Sequence, residues 1–244
     1  MRILEIEKID WDSKFWGVDI YNIKKETNMI NSEINIEVPQ NISSYLIQEL
    51  VSVDNIGYIN QLEASGFRFV ESKINLAKKV QDVLSIPENI VIKAVKTEDL
   101  NNYKNEFFDL YGEVSRFSIF GESKVNQFYY RWVIESINGN LDDGCFGYYF
   151  EDELAGFITY RIINKKLIIG LVGVFYKFQG RRISQHLLKY INNYALENSC
   201  EGICISTQGK NTRAINAYIK SGFYIEEIKN WYYLLGGQDQ NDKL

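Results

Sequence analysis

Between Cys145 and Phe175 the chain carries three apolar, aromatic and β-branched runs in succession, "CFGYYFE", "LAGFITYRII" and "KLIIGLVGVF", parted only by "DE" and "NK". A two-residue connection makes a strand turn back on its neighbour, because a parallel return needs a dozen residues or more. The runs therefore read as a three-stranded antiparallel meander. The remaining chain has to build on that sheet and cover its apolar surface with helices.

The flanking segments supply those helices. "ISQHLLKYINNYALENS" places Ile183, Leu187, Leu188, Ile191, Tyr194 and Ala195 on one helical face. "EGICIST" follows as a strand, "NTRAINAYIK" as a helix, and "FYIEEIKNWYYLL" as a last strand. Upstream, "NIVIKAV" reads as a strand, "TEDLNNYKNEFFDLY" as a helix with Thr97 as its N-cap, and "SKVNQFYYRWVIESI" as a second helix. Nearer the start lie a strand, "YLIQELVS", a helix, "NIGYINQLEASG", and an alternating strand, "FRFVESKINLA". The polar stretch around Pro87 interrupts the pattern and predicts a boundary between residues 1–86, a smaller N-terminal α/β domain, and residues 87–236, with 237–244 as a flexible tail. The fold class is α+β, with a central, mostly antiparallel sheet.

The two parts echo one another. Shifted by 156 residues, Asn55, Ile59, Asn60, Ser65, Gly66, Phe67, Glu71 and Lys73 fall on Asn211, Ile215, Asn216, Ser221, Gly222, Phe223, Glu227 and Lys229. The order strand, helix, Gly-Phe, strand is the same in both, which reads as a duplicated half-domain. Leu62 stands where the second copy has Tyr218. Packing suffices there in one copy, so the tyrosine is the feature that differs.

Composition excludes several function classes. A net charge of −5 gives no global attraction to nucleic acid, so any anion site is local. No apolar run is long enough to span a bilayer, and the start "MRILEIEKIDWDSKFWG" has acids where a signal peptide needs an apolar core. A cytoplasmic protein is expected. Three cysteines, Cys145, Cys200 and Cys204, make no disulfide framework, and Cys200 and Cys204 lack the partners of a metal site. The single histidine, His186, reads as a helix-surface residue, which leaves no histidine-based triad and no metal centre. Proton transfer then rests on carboxylates, phenols, lysines, backbone or water.

Two segments can carry chemistry. In "VGVFYKFQGRRIS", residues 172–184, a strand gives way to a helix whose first amides are free, with Lys177, Arg181 and Arg182 beside them. That combination suits a diphosphate; taken alone it reads equally as a solvated basic turn. In "STQGKNTRAINAYIKSGF", Asn211 caps a helix that Gly222 ends. Asn211 and Tyr218, seven positions apart, lie within about 20° of one another around the axis and roughly 10 Å apart along it. An extended ligand on that face would meet an amide at one end and a phenol further on. Taken alone, a capped helix with a core tyrosine is the simpler reading.

Taken together, the chain resembles the GNAT acyltransferases. Their acyl-CoA loop, Q/R-x-x-G-x-G/A after a V-x-V strand, is matched by Val172, Val174, Gln179, Gly180, Arg181 and Ser184, with Arg182 where the family usually has glycine. The later pattern N-x-x-A-x-x-x-Y-x-x-x-G-F is complete in Asn211, Ala214, Tyr218, Gly222 and Phe223. "WDSKFWGVDI", "GFRFVES", "SRF" and "FYYRW" extend the resemblance to the nucleotide-sugar N-acyltransferases of that superfamily, and with them over nearly the whole chain. The resemblance implies a GNAT fold preceded by a degenerate half-GNAT domain, a homodimer, and no metal. It implies transfer from acyl-CoA, acetyl or hydroxyacyl, to the amine of a dTDP-linked aminodideoxy sugar. Tyr218 is implied as the acid and Glu71 as a base acting through water. Val172, Gly173, Val174, Gln179, Gly180, Arg181, Arg182, Ile183, Ser184, Asn211 and Ala214 are implied to hold the cofactor. Arg116, Phe117, Tyr130 and Arg131 are the expected acceptor contacts, an arginine suiting a diphosphate and rings suiting base and sugar faces. A GNAT acting on another small amine or a peptide, or one that binds CoA without catalysis, remains the alternative.

Overall fold

The computed structural model of the chain describes residues 2–24, 34–36 and 44–237. It forms two compact units, one made of the chain up to Lys73 together with the segment from Glu227 onward, the other of Ile74–Glu226. Of the tail expected over 237–244, Gly237 still belongs to a strand and the rest lies outside the described residues.

In the first unit, β1 (Arg2–Leu4), β2 (Ile6–Lys8), α1 (Asp10–Trp16), β3 (Asp19–Ile23), β4 (Ile34–Ile36), β5 (Ser44–Ser52) and α2 (Ile56–Ala64) follow in order. Strands β1 and β4 pair in parallel; β2 pairs antiparallel with β3, and β3 parallel with β5. The motif "WDSKFWG" builds α1 and its end. Gly17 at φ 72° returns its N–H to the Ser13 carbonyl, and the Ser13 hydroxyl accepts the Ile20 N–H at 2.9 Å. Leu4, Tyr21, Ile23, Ile47, Val51, Tyr58, Leu62, Phe67 and Tyr232 form the core of this unit.

Strand β6 (Arg68–Lys79) carries the chain into the second unit, which continues with β7 (Val91–Ala94), α3 (Phe107–Tyr111), α4 (Glu122–Ile137), β8 (Gly144–Phe150), β9 (Glu153–Ile163), β10 (Lys166–Val174), α5 (Ile183–Glu197), β11 (Gly202–Gln208) and α6 (Thr212–Lys220). Strand β12 (Tyr224–Gly237) then returns to the first unit, where it lies antiparallel to β5. The order β11-β10-β9-β8-β7 contains one parallel pair, β10 with β11, and three antiparallel ones. The meander is as its turns require, with the first turn one residue earlier than expected. Glu151-Asp152 and Asn164-Lys165 make the corners, all four at φ between 49° and 64°. Two successive left-handed residues match the twist of the flanking strands.

Two expectations give way to tertiary contacts. The single helix expected over 97–111 is a 3₁₀ turn at Thr97–Tyr103 followed by α3, and its N-cap is Lys96 rather than Thr97, the Asp99 carboxylate reaching back to accept the Lys96 N–H at 3.0 Å. Asn126 of α4 accounts for the break. It donates to the Lys104 carbonyl at 2.6 Å and accepts the Phe108 N–H at 3.0 Å, taking groups that a continuous helix would pair internally. The stretch around Pro87 is not where the units part. Asn192, Asn193 and Lys189 of α5 hold the carbonyls of Asp82, Leu84 and Ser85, and Asn193 accepts the Leu84 N–H at 2.8 Å, so residues 82–85 belong to the second unit. Among the described residues no helix is long and apolar enough to cross a membrane.

The echo between the copies extends to backbone angles. Asn55 and Asn211 cap α2 and α6 at (φ, ψ) of (−89°, 61°) and (−81°, 61°), each accepting the N–H three residues on. Ser65 and Ser221 close the helices, each with its hydroxyl on the carbonyl four residues back at 2.9 Å. Gly66 and Gly222 follow at φ 91° and 88°.

Candidate active site

The site begins where two strands stop pairing. Strands β10 and β11 are in register from Lys166↔Gly202 to Ile169↔Ile205, yet β10 runs on to Val174 and β11 to Gln208. Over Val172–Val174, β10 keeps its pairing with β9 on its other side. The departure coincides with an irregularity in β10 between Ile169 and Val172, where the Thr159 hydroxyl accepts the Leu171 N–H at 2.9 Å. A cleft therefore opens between β10 and β11 at their C-terminal ends.

Strand geometry decides which amides face it. Successive residues turn their N–H and C=O to opposite edges. Phe175 donates to Ala155 on the β9 side at 3.1 Å, so Gly173 also turns toward β9, while Val172 and Val174 turn toward the cleft. The Val174 carbonyl is taken by the Gln179 amide at 3.2 Å. Its N–H remains directed at the cleft, as does that of Val172. These are fixed donors in a partly dry setting, able to stabilise an oxygen on which negative charge grows.

The loop leaving β10 retains the backbone that the sequence pattern requires. Gly180 has φ 82°, with open space where a Cβ would stand. Arg182 also adopts φ 60°, the left-handed region in which the glycine of the pattern would be at ease. The first-turn amides of α5 at Ile183 and Ser184 have no acceptor within the helix and add its positive end to the loop. The basic side chains divide. Lys177 pairs with Glu153, whose carboxylate that ammonium and then the Tyr103 hydroxyl hold below the usual range. Arg181 lies over the Phe150 ring at 4.5 Å, and Arg182 is exposed. The Ile183 side chain is buried against Gly156, so what it can offer a ligand is backbone.

Gln179 ties the two sequence segments together. Besides holding Val174, it accepts from Arg213 at 2.9 Å, linking the loop to the start of α6. There Asn211 accepts the Ala214 N–H at 3.1 Å, and Tyr218 is buried at 8 % exposure, its ring 6.0 Å from Phe223. Burial holds the Tyr218 phenol well above its ordinary pKa, so it keeps its proton across the neutral range.

The expected acceptor residues point in different directions. Arg116 lies 4.1 Å over the Phe117 ring, and Phe117 packs on Phe128 of α4. Tyr130 turns inward, edge-on to Phe107, whereas Arg131 is exposed and pairs with Glu135 at 3.5 Å. Glu71, in the first unit, is 5 % exposed on β6 and accepts the Ser72 N–H at 3.1 Å. His186 is half-buried rather than superficial, its ring stacked on Tyr148 at 5.9 Å. Sequence reasoning missed Tyr111 and Tyr129. Their rings pack at 4.5 Å and the Tyr129 hydroxyl pairs with Ser115 at 2.9 Å. The only sequence signal was that Phe107 and Tyr111 share one helical face.

The chain is 25% identical over 233 residues to dTDP-fucosamine acetyltransferase of Escherichia coli O6:H1, covering 93% of this chain and 97% of that one. It is 25% identical over 173 residues to streptothricin acetyltransferase of Escherichia coli, covering 63% and 96%. Among solved structures, a GCN5-related N-acetyltransferase from Sphaerobacter thermophilus aligns with a TM-score of 0.57 at 17% identity, over 81% of this chain and 62% of that one, which shows a shared fold. The profile of the acetyltransferase (GNAT) family matches residues 105–223, from the segment preceding α3 to the Gly-Phe that follows α6. Over that span the chain carries a GNAT-type acetyltransferase domain.

Proposed function

We propose that the protein transfers an acyl group from acyl-CoA to the amine of a dTDP-linked aminodideoxy sugar, by direct attack of the amine on the thioester. The observation that carries the donor half is the parting of β10 from β11 beyond Ile169 and Ile205, beside the buried Tyr218 and leading into the α5 start. The acceptor half rests on similarity to dTDP-fucosamine acetyltransferase over 93% of the chain.

In this reading the pantetheine arm lies in the cleft and the diphosphate at the 179–184 loop, held by amides more than by Lys177. The sugar amine loses a proton to water ordered by Glu71. Its nitrogen then forms a bond to the thioester carbon, and the oxygen takes up negative charge against the Val174 N–H. Collapse breaks the carbon–sulfur bond. The leaving thiolate, whose pKa is about 8.5, takes the Tyr218 proton, and the second proton that the nitrogen sheds on becoming an amide passes through water to restore the phenol. Arg116, Phe117, Tyr130 and Arg131 hold the nucleotide sugar, and the protein works as a cytoplasmic homodimer.

The test is thiol release with acetyl-CoA or a hydroxybutyryl-CoA, paired with dTDP-linked 3-amino and 4-amino dideoxy sugars. Release with one pair fixes donor and ring position together. Absence of release on all pairs, with CoA still bound, rejects the sugar acceptor and moves the search to other small amines, with streptothricin first.

A further inference from the structure

The proposed mechanism leaves one polar group at the cleft without a task. Tyr111 ends α3, and Gly112 follows it because a Cβ there would stand 2.3 Å from the Phe108 ring. The Tyr111 ring rests on Tyr129, but their hydroxyls part company. That of Tyr129 pairs with Ser115, whereas that of Tyr111 is buried and has no hydrogen-bond partner among the described residues. It lies over the reacting strand. A Cβ on Gly173 would stand 2.9 Å from the Tyr111 oxygen and 2.6 Å from the Phe157 ring, so only glycine lets the phenol come this close to β10. On either side of Gly173 are Val172 and Val174, whose amides face the cleft. The phenol is held well above its ordinary pKa, first by burial and then by Tyr218, so it is a donor that keeps its proton.

A buried hydroxyl with no partner destabilises the fold, and a phenylalanine would occupy the same space without that cost. Such a group calls for a partner that arrives with the ligand. Among the reacting atoms, sulfur already has Tyr218, and the amine nitrogen commits its lone pair to the new bond. The oxygen that turns negative can accept a second donor. We propose that Tyr111 is that donor, its hydroxyl joining the strand amide on the thioester oxygen. The assignment rests on the reading that an acyl-CoA thioester lies against β10.

The experiment compares wild type with Tyr111→Phe in three measurements. The free variant melts about 2–4 °C higher, because the unsatisfied hydroxyl is gone. With the acceptor that wild type uses, kcat falls about 100-fold, while KM for acetyl-CoA stays within about threefold and both limbs of the pH profile keep their positions. In binding without any acceptor, wild type prefers acetyl-CoA to its thioether analogue, which lacks the carbonyl oxygen, and the variant loses that preference. Unchanged kcat, or a melting temperature that falls, overturns the assignment to Tyr111. If wild type acylates no acceptor, the binding preference decides alone: its loss in the variant upholds Tyr111 while the acceptor reading fails, and its retention rejects Tyr111.

Discussion

Arg182 combines the unusual backbone and the unusual sequence of the cofactor loop, and substitution can separate its two effects. A non-glycine residue in the left-handed region costs roughly 1–2 kcal/mol, and Arg182 is there at φ 60°. Glycine removes that cost but widens the unfolded ensemble, taking back about 0.4–1 kcal/mol. Arg182→Gly therefore stabilises by about 0.5–1 kcal/mol, a rise of roughly 1–4 °C in melting temperature for a chain of this size. Arg182→Ala keeps the strain and loses the charge, so it melts near wild type. The side chain is exposed, and its attraction for a diphosphate is worth at most about 1 kcal/mol. Both variants then bind CoA up to about fivefold more weakly in low salt, with the difference shrinking as salt screens the charge. Differential scanning calorimetry and calorimetric titration with CoA measure the two effects. A glycine variant that melts no higher than the alanine variant would refute the strain argument.

Other predictions concern chemistry and the sheet. Tyr218→Phe lowers kcat by about 100-fold or more while CoA affinity changes little; equal losses in both would remove the acid assignment. Glu71→Gln shifts the pH–rate profile, and an unchanged profile makes Glu71 structural. Lys165→Gly relaxes the second corner of the meander, at φ 59°, and raises the melting temperature by roughly 1–4 °C with CoA binding unchanged. Glu153 has a depressed folded-state pKa, so its contribution is present above the unfolded carboxyl value and is lost as pH falls through the folded one. Melting profiles of Glu153→Gln should therefore converge on wild type in acid and separate toward neutral pH.

What could be read in the sequence follows the range of the forces involved. The meander was legible because two-residue corners and alternating side chains are local constraints. The α6 cap and stop were legible because Asn211 and Gly222 act on backbone groups a few residues away. The break before α3 was hidden, since Asn126 supplies it from another helix. Hidden too was the departure of β12 for the first unit, because its pairing with β5 joins segments far apart in sequence. The loop departs from the sequence pattern where Arg182 replaces glycine, although its backbone is the one glycine would choose. Tyr111 carried almost no signal, since its position over Gly173 arises only from tertiary packing.

The early end of the β10–β11 ladder also bears on how binding can be followed. Amides in the middle of a sheet ordinarily exchange with solvent deuterium only when the structure opens, and those of Ile169 and Ile205 fall in that protected class. The Val172 and Val174 amides, a few residues further along the same strand, face the cleft and should exchange quickly. A ligand that lies along β10 would slow them and leave the paired stretch unchanged. The protein thus carries its own isotopic reporter of occupancy, readable by mass spectrometry with any candidate donor and independent of turnover.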